Sequence, residues 1–130
     1  MNGNGANTRP HGFTLVELLV VLAILMLLVA VAAPRYFTGV DRAKEAALKQ
    51  NLLVMREALD KFYGDQSRYP YTLEELAERK YIRSIPVDPI TESAKTWVII
   101  PPSNDIPGGV YDLQSGAEGV ALDGTNYGEW

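Results

Sequence analysis

Hydrophobic and polar positions divide this chain into three regions. Residues 1–12 are mainly polar, residues 13–33 are almost entirely apolar, and residues 34–130 mix both kinds of side chain. The apolar run is about 21 residues long, which is enough for an α-helix to cross a bilayer. The pattern therefore predicts one membrane-spanning helix near the N-terminus, followed by a single small domain.

The region after the span has a second pattern, in which apolar residues recur at intervals of four and three. This spacing predicts an amphipathic helix over residues 40–63 that continues the first one. We expect Gly64 to end it, because glycine often follows the last helical turn. The stripe either packs on the protein's own sheet or forms a seam between subunits. The first interpretation is favoured, because few other residues remain to build a core. The stripe consists of Leu48, Leu52, Met55, Leu59 and Phe62.

Two residues predict a weak point in this long helix. Pro34 falls where the apolar run ends, and proline removes a backbone hydrogen bond from a helix. Gly39 follows five residues later. We therefore predict a helix soft spot at Pro34–Gly39 that can unwind locally.

The remaining sequence predicts a short helix and a small sheet. Thr72 and Glu75 match a capping box, in which each side chain satisfies a backbone N–H of the first helical turn. Residues 96–100 are β-branched or aromatic, and residues 110–115 alternate apolar and polar, as strands do. The predicted fold class is α+β, with a long N-terminal helix packed on two or three antiparallel C-terminal strands.

Composition narrows the possible functions. The net charge of −4 comes from interspersed acids and bases, which provide no basic stripe for nucleic acid. The chain has no cysteine, so it can form neither disulfides nor thiolate metal sites. Its one histidine is His11, and no Ser–His pair, carboxylate pair or phosphate-binding loop stands out. The chain is predicted to be neither an enzyme nor a nucleic-acid-binding protein.

Glu17 lies within the apolar run, where a simple anchor has no use for it. An ionised carboxylate costs about 2.5–3.5 kcal/mol at the centre of a membrane helix, and less near an end. We therefore expect a partner for this charge. An ordinary secretory signal is the alternative, because Ala30, Ala32 and Ala33 could form its cleavage site. The length of the run and the acid inside it argue against that alternative.

Gly12, Phe13 and Glu17, the fifth residue of the apolar run, resemble the processing site of type IV pilins and of the pseudopilins of type II secretion. The resemblance implies that a prepilin peptidase and N-methyltransferase cuts after Gly12 and that the new N-terminal Phe13 is methylated on its amine. It also implies that Glu17 acts in assembly by neutralising the N-terminus of a neighbouring subunit. His11 departs from the family pattern of Lys or Arg, and Arg9 can supply that charge instead.

A second resemblance covers the C-terminal part. Residues 112–119 resemble the last strand and loop of the major pseudopilin of type II secretion, and residues 68–89 resemble it less specifically. Family members often bind calcium in this loop, which makes Glu118 and Asp123 the candidate calcium ligands. No other cofactor is implied. This chain has a shorter loop with Glu118 in place of an aspartate, and the alternative is that both acids are ordinary solvated residues.

The resemblance implies a type IV pilin-like fold and a structural subunit of a periplasmic pseudopilus that helps to export folded proteins across the outer membrane. The implied partners are further copies in a helical homopolymer, minor pseudopilins, the processing peptidase and the inner-membrane assembly platform. Residues 1–12 would be the leader, residues 13–33 the transmembrane and filament-core helix, and residues 34–130 the periplasmic domain.

The implied location is the bacterial inner membrane, crossed once, with a cytoplasmic N-terminus. Basic residues flank both ends of the span, so the positive-inside rule does not decide this orientation by itself. Two alternatives remain open: a type IV pilin or minor pilin, and a membrane-anchored periplasmic binding domain. The absence of cysteine favours the pseudopilin over an adhesive pilin, because such pilins often have a C-terminal disulfide loop.

Overall fold

The computed structural model of the chain describes residue 3 and residues 12–130, so most of the predicted leader lies outside the described residues. The chain divides between Thr38 and Gly39 into two compact units. The elements in chain order are helix α1 (Leu15–Gln66), helix α2 (Leu73–Glu78), strand β1 (Val98–Ile100), strand β2 (Asp112–Gln114) and a short 3₁₀ helix (Tyr127–Glu129).

The predicted α+β fold class is confirmed. A long N-terminal helix precedes a two-stranded antiparallel sheet, in which Ile99 of β1 lies opposite Leu113 of β2. Leu113 is fully buried, whereas Ile99 is exposed. Within the described residues the pairing is limited to three residues on each strand. The small sheet therefore depends on the helix to cover its buried side.

The apolar stripe of α1 forms the core of the domain. Each of its five side chains is at most 2% exposed. Residues from α2, β2 and the loops join them in one hydrophobic cluster, among them Leu76, Trp97 and Leu113. Burying a large apolar side chain stabilises a fold by about 1.5–3 kcal/mol. The prediction that the stripe packs within its own domain is confirmed.

The predicted end of α1 at Gly64 is wrong, because the helix continues to Gln66. Ser67 then adopts a left-handed conformation with φ of 54°, and its N–H donates to the Tyr63 carbonyl at 2.9 Å. A left-handed residue after the last turn is a common helix terminator, and here serine fills that position. A glycine inside a helix costs only about 1 kcal/mol, which a helix packed on a core tolerates.

The short helix α2 is confirmed, but its predicted capping box is wrong. Thr72 precedes α2, yet its hydroxyl makes no capping hydrogen bond. The N–H of Glu75 donates instead to the Thr72 carbonyl at 3.3 Å. The Glu75 carboxylate accepts from Arg68 at 2.7 Å, so it is directed away from the backbone that a capping box would satisfy.

A buried polar contact ties the loop before β1 to the end of β2. Asp88 is fully buried, and its Oδ2 accepts from the Ser115 hydroxyl at 2.5 Å. Its Oδ1 accepts from the N–H of Ile90 at 2.8 Å. Close by, a Cβ on Gly116 would collide with the Thr96 carbonyl oxygen, so the two backbones approach each other where only glycine fits.

Candidate processing and assembly site

The predicted processing residues lie just before α1. Gly12, Phe13 and Thr14 precede the first helical residue, Leu15. The Thr14 hydroxyl accepts from the N–H of Glu17 at 3.2 Å, as an N-capping side chain does. This contact satisfies one of the backbone donors that a helix start leaves unpaired, and it places Glu17 in the first turn of α1.

Sequence reasoning missed the role of Thr14. The signal was present, because Thr14-Leu15-Val16-Glu17 fits the threonine and glutamate spacing of a capping box. The structure uses the threonine half of that motif and leaves the Glu17 side chain exposed. Thr14 therefore starts the helix, and the carboxylate of Glu17 is accessible to a partner outside the chain.

Gly12 has room for a side chain. No described atom lies within 4 Å of the position that a Cβ on Gly12 would occupy. The fold of the described residues therefore does not require glycine there. Phe13 is equally open, with 84% of its surface exposed. A requirement for these two residues would have to come from a molecule that acts on the chain.

The first half of α1 presents apolar side chains in all directions. Its large apolar residues from Leu15 to Val31 are between 43% and 74% exposed. Among the described residues, α1 is the one helix whose length and composition suit a membrane span, and none of that stretch is buried within the protein. A helix that is apolar all round belongs in lipid or inside an assembly.

At the predicted soft spot, α1 of this single chain runs unbroken through Pro34. The Thr38 hydroxyl donates to the Pro34 carbonyl at 3.0 Å, in the i to i−4 pattern that bends helices slightly. Nothing lies within 4 Å of a Cβ on Gly39. Local unwinding of Pro34–Gly39 concerns an assembled filament, so it stays a prediction.

The two candidate calcium ligands have different surroundings. Oδ1 of Asp123 accepts from the N–H of Thr125 at 3.0 Å and from its hydroxyl at 2.6 Å. These bonds, the hydroxyl first, lower the pKa of Asp123. Glu118 is exposed. The described part of the chain contains no group of three or more His, Cys, Asp or Glu side chains that could hold a metal ion. Calcium binding stays a prediction.

Sequence reasoning also missed two residues of α1 that hold the C-terminal part of the domain. The carboxylate of Glu45 accepts from the Leu122 N–H and from the Tyr127 hydroxyl, both at 2.8 Å. Arg56 donates to Asp112 at 2.9 Å and to the Trp130 carbonyl at 2.6 Å. Their partners are 56 to 82 residues away, and no local pattern marks such distant contacts.

Comparison with known proteins gives one match to the N-terminal motif and others to nearly the whole chain. Residues 7–33 match the family model of the prokaryotic N-terminal methylation motif. The type II secretion system core protein G of Pseudomonas aeruginosa is 29% identical over 94% of this chain and 96% of its own. The core protein G of Escherichia coli is also 29% identical, over 95% of this chain and 94% of its own.

A pilin is similar over a smaller part. The type IV major pilin protein PilA of Myxococcus xanthus is 38% identical over 48% of this chain and 29% of its own length. No solved structure matches the chain. None of these names is that of an enzyme. The methylation motif covers the predicted cleavage site and the whole apolar run, and the core proteins G match the domain as well. This chain is therefore similar to the type II secretion system core proteins G over nearly its whole length, and to a type IV pilin over about half of it.

Proposed function

We propose that this chain is a structural subunit of a type II secretion pseudopilus, a helical filament that helps to export folded proteins. One observation supports this most. A single chain joins the N-terminal methylation motif over residues 7–33 to similarity with core protein G over 94% of its length. The motif alone would also fit other proteins that have the same N-terminal helix. The similarity to core protein G across the domain favours the pseudopilus subunit over those proteins.

The surface of α1 suits a subunit that leaves a membrane for a filament. Its first half is apolar all round, so lipid or neighbouring copies can cover it. Exchange of lipid contacts for helix contacts costs little, because both environments are equally apolar. Glu17 is the exception, since its charge gains a partner only when the amine of another subunit approaches. That pairing favours assembly over dispersal in the bilayer.

We place the N-terminus in the cytoplasm, a single span in the inner membrane and residues 34–130 in the periplasm. A prepilin peptidase and N-methyltransferase would process the chain after Gly12 and methylate Phe13. Minor pseudopilins and the inner-membrane assembly platform would be its further partners. Thr14 fits this sequence of events, because it caps α1 without any residue of the leader and so allows the helix to start unchanged after cleavage.

A type IV pilin is the second candidate function. The similarity to PilA favours it, but that match covers 29% of the pilin, whereas the core proteins G match over nearly their whole length. The two functions differ in where the filament ends. A surface pilus would extend beyond the outer membrane at normal expression, and a pseudopilus would remain in the periplasm.

Mass spectrometry of the mature N-terminus tests the proposal. We expect a chain that begins with N-methylated Phe13. Gly12→Val should leave the leader attached and abolish filaments, because a side chain would block the backbone from the peptidase cleft. Gly3→Val is the matched control, since this leader glycine also has nothing within 4 Å, and it should be processed normally. A mature terminus at another residue, or filaments of unprocessed chain, would contradict the proposal.

A further inference from the structure

The C-terminal segment, residues 117–130, lies against α1, and one carboxylate of that helix makes two hydrogen bonds to it. Oε1 of Glu45 accepts from the backbone N–H of Leu122 and from the hydroxyl of Tyr127, each at 2.8 Å. Glu45 itself is half-buried. A hydrogen bond to an ionised acceptor is about twice as strong as one between neutral groups. The two contacts therefore join the middle of a loop and the start of the 3₁₀ helix to one side chain.

Several polar groups inside the segment already have partners within it. Asp123 accepts from the N–H and hydroxyl of Thr125, as described above, and the Thr125 hydroxyl oxygen accepts from the Trp130 indole N–H at 2.7 Å. The N–H of Ala121 donates to the Thr125 carbonyl at 2.7 Å. The Asp123 carboxylate, which a cation would need as a ligand, therefore accepts hydrogen bonds from its own turn. Thr125 of that turn is bonded in addition to Trp130.

Neighbouring residues of α1 reinforce the same contact. Lys49 is one turn after Glu45, and its ammonium lies 4.5 Å from the centre of the Trp130 ring. Arg56, two turns further along, donates to the Trp130 carbonyl. Tyr127 packs edge-on against Trp130, with the ring centres 5.2 Å apart. Residues at these intervals share one helix face, so α1 offers the segment a continuous row of polar and cationic partners.

A calcium ion would need a different arrangement. It takes six to eight oxygen ligands at roughly 2.3–2.6 Å, usually with several carboxylates. Glu118 and Asp123 are two, they do not form part of a larger acidic group within the described residues, and one oxygen of Asp123 already accepts two hydrogen bonds. The oxygen ligands of the loop do not fit a calcium site well, whereas Glu45 accepts hydrogen bonds from the segment directly.

We propose that Glu45 anchors the C-terminal segment to α1 in place of a metal ion, so that the domain folds fully without calcium. The anchor is a negative side chain that accepts hydrogen bonds from a backbone N–H and a phenol. A cation would instead be bound by carboxylate and carbonyl oxygens. This inference concerns the domain alone and stands whether or not the chain forms a pseudopilus. Burial, and then the bond to Glu45, raise the pKa of Tyr127 to about 12, consistent with a phenol held in its protonated form.

Hydrogen exchange of the full chain in mild detergent, followed by mass spectrometry, tests the anchor. Peptides from residues 117–130 should exchange equally in 2 mM calcium and in chelator. Glu45→Ala should speed their exchange about tenfold or more, because it removes both bonds. Glu57→Ala is the matched control, an exposed carboxylate on the same helix, and should leave exchange unchanged. Tyr127→Phe, which removes one bond and keeps the ring, should give a smaller increase even if Glu45→Ala unfolds the domain.

Two results would overturn the anchor. The first is strong protection of the segment from hydrogen exchange in calcium, provided that Glu118→Ala or Asp123→Ala abolishes this protection. That result would show that the cation holds the segment. The second is exchange in Glu45→Ala and Tyr127→Phe that matches Glu57→Ala. The readout is local protection and not filament yield, so a failure of the anchor is separate from a failure of the proposed pseudopilus.

Discussion

We propose two separate roles for Glu17, one for its backbone and one for its side chain. Its backbone N–H completes the start of α1 by donating to Thr14, and its side chain stays exposed at the same end of the helix. The backbone part is internal to the chain and forms in a lone subunit. We propose that the side chain acts only with a second subunit, because an acid in an apolar run has no stabilising partner in lipid. Changes to the side chain should therefore separate insertion from assembly.

We expect Glu17→Ala to insert into the membrane normally but to be lost from filaments. Removal of one member of a buried charge pair costs roughly 3–5 kcal/mol, because the other charge is left without compensation. The measurement compares the membrane fraction with the sheared-filament fraction. Asp41→Ala, which alters an exposed acid of α1 beyond the span, is the control and should assemble. Normal filament yield from Glu17→Ala would eliminate the pairing with the Phe13 amine.

Tyr127 should make the domain less stable as the pH rises through the alkaline range. Burial, and then the bond to Glu45, raise its pKa from 10 to about 12, so the folded state holds the phenolic proton more tightly than the unfolded chain. The resulting stabilisation is complete below pH 10 and is lost as the pH rises from 10 to about 12. Tyr127→Phe has no proton to lose. Its free energy of unfolding should therefore fall less over this interval.

Chemical denaturation at pH 9, 10.5 and 11.5 measures this difference in slope. Part of the decline should persist in Tyr127→Phe, because the pKa values of Tyr69 and Tyr81 are also raised. Tyr71→Phe is the control, since 63% of this side chain is exposed, and it should follow the unaltered protein. Equal slopes for Tyr127→Phe and the unaltered protein would show that the phenol is not held as the structure indicates.

At the scale of elements, α1 combines a stretch that must suit lipid with a stretch that must suit a core. Pro34 lies between them, and it leaves one carbonyl of the preceding turn without its N–H donor. Thr38 adds a second bond at the Pro34 carbonyl, which competes with the regular ladder. The helix is continuous in the single chain, yet few interactions oppose a local opening there.

We expect the Pro34–Gly39 segment to be stretched or melted in the assembled filament, where neighbouring helices must shift along one another. Pro34→Ala should restore the missing hydrogen bond and keep this segment helical. A filament density map of both proteins provides the measurement. Unbroken α-helix from Phe13 to Tyr63 in the map of the unaltered protein would exclude the soft spot.

Structural elements that depend on the spacing of nearby residues could be predicted from the sequence. The apolar stripe of α1 repeats every three to four residues, and the structure buries it as that period requires. The end of α1 could not be placed, because Gly64 and Ser67 both suit a helix terminus and only the contacts of the folded chain decide between them. The Asp88–Ser115 bond and the Glu45 anchor join distant segments, and no spacing in the sequence indicates such pairs.

At the scale of the whole molecule, the domain is stabilised by one helix face, and positions on that helix differ sharply in importance. Leu59 is 1% exposed, whereas Leu53, less than two turns away, is 50% exposed. The same substitution at these sites therefore removes very different amounts of buried surface. The two residues form a matched pair for testing which face of α1 supports the domain.

Leu59→Ala should lower the free energy of unfolding of the domain by about 2–5 kcal/mol, because it leaves a cavity in the core. Leu53→Ala should change it by less than about 0.5 kcal/mol, as most surface substitutions do. Chemical denaturation of the full chain in detergent, followed by tryptophan fluorescence, measures both. A larger loss for Leu53→Ala than for Leu59→Ala would mean that the stripe is not the core.

The bonds of Glu45 to Leu122 and Tyr127 span 77 and 82 residues, which has a consequence for the order of folding. Contacts between distant residues form late, because the chain must first lose the entropy of closing a long loop. In the topology proposed above, the N-terminal span enters the membrane first, so residues 117–130 would reach the far side after residues 34–116. We therefore expect the two bonds of Glu45 to form only after this segment has crossed, so that the domain completes its folding late in export.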